Sequence, residues 1–112
     1  DCWGLVALAF AELAGVELPS YADRYVTGAD RQALAALIGG ELGDWLPVVS
    51  GSERRFDGVL MREGSYPRHI GLVVTPGQLL HVQPGGTSCI ERYRGGILAN
   101  RVVGFYRHQQ HA

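Results

Sequence analysis

The sequence predicts an α+β domain, and three observations carry that reading. A helically patterned apolar run opens the chain, short apolar runs broken by Gly, Pro and Ser fill its second half, and turn signals separate those runs. Helices first and strands afterward favour an antiparallel sheet over an alternating parallel one. At 112 residues the chain is long enough to bury one core and too short for two. The reading places a single domain at residues 1–108 and a polar, mobile tail at 109–112.

The opening run is DCWGLVALAF. Trp3, Val6, Phe10 and Leu13, with Leu5, Leu8 and Ala9, follow helical spacing with one broad buried face. That gives a helix of about three to four turns. Asp1 is a favoured N-cap residue, Gly15 and the Pro19 region supply the stop, and Cys2 falls in the first turn. Residues 21–28 read as a loop. Asp30 caps a second short helix that buries Leu34, Leu37 and Ile38 and ends at Gly39-Gly40. Beyond Trp45 the pattern predicts strands at 57–62, 69–75, 78–83, 88–93 and 101–107, with loops at GSERR (51–55) and GSYPR (64–68).

Composition excludes several functions. The ten basic residues are all Arg and the formal net charge is −1, so there is no basic patch of the kind that binds nucleic acid. No stretch approaches the roughly 20 apolar residues of a membrane span. The chain starts with Asp and carries no leader pattern, which predicts that its true N-terminus lies further upstream or has been processed. Its two cysteines, Cys2 and Cys89, cannot form a dense disulfide framework, although counting alone leaves a single bridge between them open.

Of the four histidines, His108 and His111 fall at the tail and read as solvated end residues. His69 and His81 instead sit in apolar strands, where an imidazole needs a partner. Register decides whether they meet. A two-residue loop at Pro76-Gly77 would turn them to opposite faces. An odd-length loop, with Gly77 left-handed, or an equivalent bulge sets Gly71 opposite His81 and brings both rings to one face, with Gly71 leaving room for a ring. The expected register is the second. A thiol at a helix N-terminus, a base and a group to orient that base form the constellation of nucleophilic thiol catalysis.

DCWGL at the first helix, FDGVLM at a strand start, RHIGLVV, and LLHV with its His twelve residues after the first together resemble the NlpC/P60 family of papain-like cysteine peptidases, over Asp1 to about Val82. The resemblance implies an N-terminal helix carrying the Cys, packed on an antiparallel sheet of about five strands. It implies Cys2 as nucleophile, His69 as base and later general acid, and His81 as orienting residue. The Cys2 backbone N–H would serve as an oxyanion donor, and Gln83 stands as an alternative orienting residue. Asp1 and Arg68 flank the catalytic positions and could bind charged ends of a substrate, with helix cap and surface charge as their ordinary roles. Cys89 reads as an inert core thiol.

The implied substrate is a peptidoglycan peptide, cut between a γ-D-glutamyl group and a diamino acid. Trp3 after the Cys resembles the branch found in tails of phages and phage-like gene-transfer particles. That implies tail or baseplate partners and action of an extracellular particle at the cell wall or periplasm. FDGV reverses the family's usual Gly-Asp order, and the upstream segment that often supplies a pocket Tyr is not in this chain. The alternatives are a tail-tip plug that keeps the fold without turnover, and an amidase or acyltransferase of the same superfamily. No cofactor, metal site, nucleic-acid partner or membrane insertion is expected, since the scattered Cys and His match no zinc pattern.

Overall fold

The computed structural model describes residues 2–16, 43–64, 66–82 and 87–111. Helix α1 (Cys2–Ala9) continues as a wider π-turn at Phe10–Ala14 and stops at Gly15, whose φ of 69° is the left-handed cap conformation that glycine adopts at little cost. The predicted first helix and its stop are therefore observed. The N-cap at Asp1, the second helix and Gln83 lie outside the described residues.

Six strands form one antiparallel sheet: β1 (Trp45–Val48), β2 (Gly58–Glu63), β3 (Tyr66–Thr75), β4 (Gln78–Val82), β5 (Ser88–Arg92) and β6 (Val102–His108), in the order β1-β6-β2-β3-β4-β5. Five match the sequence reading to within three residues at each end. The sixth, β1, pairs among the described residues with β6 alone and contains Pro47, which an edge strand tolerates because one side of it needs no ladder donor.

Side chains alternate across the sheet, and each face carries a core. Val6 and Phe10 of the first helix pack with Leu60, Ile70 and Leu72 on one face, closed by Trp45 and Phe56. Val59, Met61, Val73, Leu79 and Phe105 face the other way and pack with Tyr93 and Leu98. Burial of these apolar faces supplies the main driving force for the fold. No described helix is long and apolar enough to cross a membrane.

His108 corrects the sequence reading. It is 3% exposed, and its ring lies 5.1 Å from Trp45 and 5.8 Å from Phe10. Strand β6 runs on into a 3-10 turn at Gln109–His111, anchored where the Gln109 N–H donates to the Asp44 carbonyl at 2.7 Å. The sequence signal was misleading because polar residues follow His108, although β1 lies directly alongside.

Candidate active site

The β3–β4 hairpin decides the site. Its turn is the two-residue Pro76-Gly77 loop, closed by the pair Thr75↔Gln78, with Gly77 at φ 100°. That loop alone would put the two histidines on opposite faces. A bulge between Val73 and Thr75 adds the missing residue and restores Val73↔Leu79 and Leu72↔Leu80. The bulge alternative of the sequence reading is thus the observed one. His69 and His81 share a face, with His69 Nε2 2.8 Å from His81 Nδ1.

Gly71 makes this approach possible. A Cβ built there would lie 2.9 Å from the Leu80 carbonyl oxygen and 3.2 Å from the His81 Cβ. Both imidazoles are buried, at 7% and 4% exposure. Buried polar rings need hydrogen-bond partners, and the second nitrogen of His81 finds one that the sequence reading missed. His81 Nε2 lies 2.9 Å from Glu91 Oε1, across the β4–β5 ladder in which His81 pairs with Cys89.

Diagonal neighbours across an antiparallel ladder stand within reach of long side chains. Registering SCIER against LLHV would have shown Glu91 diagonal to His81.

Cys89 is a free thiol, which removes the bridge to Cys2 that counting left open. It is half-buried and donates to Glu91 Oε1 at 3.5 Å. Burial, reinforced by the adjacent Glu91 carboxylate, pushes this thiol above its ordinary pKa. Instead of standing in the core, it borders the histidine pair.

Two further buried carboxylates serve the framework. Asp57 accepts from Arg107 Nε and from an Arg107 terminal nitrogen, both at 2.8 Å, and from the Arg54 N–H at 2.9 Å. It thereby ties the start of β2 to β6. Glu53 accepts from the Tyr93 hydroxyl at 2.8 Å, from Arg94 at 2.7 Å and from the Gly51 N–H at 2.7 Å. Burial alone would raise the Glu53 carboxyl; these donors outweigh it and hold the group below its ordinary value. Tyr93, buried and donating to that carboxylate, is pushed up to about 12.

Of the predicted site residues, Cys2 is the first residue of α1, and α1 packs against β3 and β4, the strands that carry the two histidines. Arg68 lies in β3 one residue before His69. Asp1 is outside the described residues. The NlpC/P60 family model matches residues 1–107. No curated protein matches the chain.

Proposed function

We propose, from the premise that this chain belongs to the NlpC/P60 family, that it is a cysteine endopeptidase of bacterial peptidoglycan peptides working through Cys2, His69 and His81. The family is generally one of cysteine peptidases and amidases of the cell wall, so membership gives hydrolase chemistry of that kind. The observation that carries the residue assignment is the buried His69–His81 contact of 2.8 Å, continued to Glu91 at 2.9 Å.

An ionised carboxylate only accepts hydrogen bonds. Glu91 therefore selects the His81 tautomer with its proton on Nε2, which leaves Nδ1 as an acceptor. His69 then donates through Nε2, and in this reading its Nδ1 serves the nucleophile. In this mechanism Cys2 attacks the scissile carbonyl as a thiolate paired with the His69 imidazolium. His69 gives its proton to the leaving amine as the C–N bond breaks, and water then hydrolyses the thioester. The Cys2 N–H is one oxyanion donor, and such a donor contributes about 3–4 kcal/mol to the transition state.

The substrate reading is the bond between a γ-D-glutamyl group and a diamino acid, with Asp1 and Arg68 contacting charged substrate ends. The biological reading is a tail-like particle that opens the cell wall from outside or within the periplasm; Trp3 after the nucleophile supports it. The histidine pair shares the sheet face of Leu79, and the first helix packs its apolar stripe on the opposite one. Pairing of Cys2 with His69 is therefore the step to test first.

The test is the pH dependence of iodoacetamide labelling at Cys2 in the parent and in His69→Ala. A thiolate reactive well below the free-thiol pKa of about 8.5, and lost in the variant, is the expected result. In a muropeptide assay the variant should lose roughly 10⁴-fold in kcat, as expected for a triad member. Slow labelling with an ordinary pKa in both proteins overturns the assignment and favours a tail-tip module without turnover. Untouched muropeptides, with acyl transfer to an amine, would favour the acyltransferase reading.

A further inference from the structure

His81, Cys89 and Glu91 each offer one donor atom, and these atoms lie within 4.8 Å of one another. They come from two neighbouring strands, β4 and the edge strand β5, and share one face because His81 pairs with Cys89 and Glu91 follows two residues later. Folding assembles a donor set that linear spacing conceals. A tetrahedral zinc ion with bonds of roughly 2.0–2.3 Å spaces its donors roughly 3.3–3.8 Å apart. His81 Nε2 to Glu91 Oε1 is 2.9 Å and Cys89 Sγ to Glu91 Oε1 is 3.5 Å, so small side-chain rotations reach that geometry.

We propose that His81 Nε2, the Cys89 thiolate and a Glu91 carboxylate oxygen form a binding site for a zinc-like divalent ion, and that occupancy switches the histidine pair off. Imidazole, thiolate and carboxylate together suit borderline metals, whereas magnesium and calcium call for oxygen ligands. One thiolate and one carboxylate also balance the charge of a divalent ion. Glu91 sits 36% exposed at the sheet edge, which gives the ion a route from solvent.

The switch follows from proton placement. Binding displaces the proton of His81 Nε2 and the proton of the Cys89 thiol to solvent. The His69 imidazolium then passes its Nε2 proton to His81 Nδ1, which keeps the ion-bound imidazole neutral, and the 2.8 Å contact reverses direction. His69 Nε2 becomes an acceptor, so the ring is neutral and the imidazolium that would pair with Cys2 is lost. Metal binding stands on the donor geometry alone, while its inhibitory effect rests on the proposed catalytic role of His69.

The experiment separates the two. Cobalt(II) is titrated into Cys2→Ala protein, in which Cys89 is the remaining thiol, and into Cys2→Ala/Cys89→Ser. A near-ultraviolet thiolate-to-cobalt band at one ion per chain in the first, absent in the second, is the expected result. No band in Cys2→Ala overturns the site, whatever the enzyme does. Zinc inhibition of muropeptide cleavage is then compared in the parent and in Cys89→Ser, which should keep its basal activity. At least a tenfold higher zinc concentration should be needed to inhibit Cys89→Ser; equal sensitivity overturns the switch. If the parent cleaves nothing but the cobalt band appears, the catalytic reading fails and the metal site stands.

Discussion

The start of β2 and the β4–β5 edge both hold a carboxylate beside a basic side chain, yet they differ in what the base can do. At the first, Asp57 is 1% exposed and accepts from two N–H groups on one edge of the Arg107 guanidinium. Arginine stays protonated at any ordinary pH, and Asp57 raises it further by hydrogen bonding. The base of that pair keeps its proton. At the second, Glu91 holds an imidazole, whose two ring nitrogens can exchange donor and acceptor roles. One carboxylate fixes the frame, and the other is placed to steer chemistry.

Breaking the first region should produce the largest effect on the fold. Asp57→Ala takes the carboxylate from the Arg54 N–H and from the partly buried Arg107 guanidinium, which keeps the Ser52 carbonyl at 3.1 Å. Removing one partner of a buried pair costs about 3–5 kcal/mol. Urea denaturation of the parent and the variant should show a lowered midpoint of that size with an unchanged slope. A change below about 1 kcal/mol would mean that solvent replaces the pair and that the region is no rigid frame.

Gly71 tests how closely the second region depends on the backbone. In Gly71→Ala the new Cβ meets the Leu80 carbonyl oxygen, which belongs to the ladder and cannot rotate aside. Overpacking of this kind costs about 1–3 kcal/mol. The separation of β3 and β4 should widen, and any activity should fall with the loss of the His69–His81 contact. If activity is retained at full stability, the close approach of the two rings is dispensable.

How much of this was legible in the sequence depended on whether the signal was local. The first helix, its Gly15 stop and five strands were readable because apolar spacing and turn residues are written along the chain. The first edge strand was hidden by Pro47, which argues against a strand until its partner is known. The shared face of His69 and His81 was legible through Gly71 and the turn, although a bulge supplies the odd residue instead of the loop. Glu91 was missed because its meaning comes from a neighbouring strand: in sequence it is an ordinary polar residue in an alternating run. His108 was misread for the same reason, since only the paired strand reveals that Trp45 covers it.

Glu91→Gln sharpens the contrast at smaller magnitude. Glutamine keeps an accepting oxygen for His81 but also offers a donor, so the tautomer is held less strictly. The expected loss in kcat is about tenfold, or roughly 1.4 kcal/mol in the barrier. KM and the melting temperature should hardly move. An equal loss of stability would make Glu91 a framework residue like Asp57.

The smallest effect concerns Glu53, a second framework carboxylate that can titrate. Its folded-state pKa is held below the ordinary value because hydrogen bonds from Arg94, Tyr93 and backbone N–H groups outweigh the opposing effect of burial. A depressed carboxylate contributes stability that is fully present above its unfolded pKa, about 4.3, and is lost as pH falls through the folded value. Unfolding free energy should therefore decline with acid over that window more steeply in the parent than in Glu53→Gln, which cannot titrate there. The variant should also be the less stable protein at neutral pH, since Arg94 and Tyr93 lose a charged acceptor. Parallel acid profiles for the two proteins would show that Glu53 is held no more tightly in the folded chain than in the unfolded one, and would remove it from the framework that Asp57 anchors.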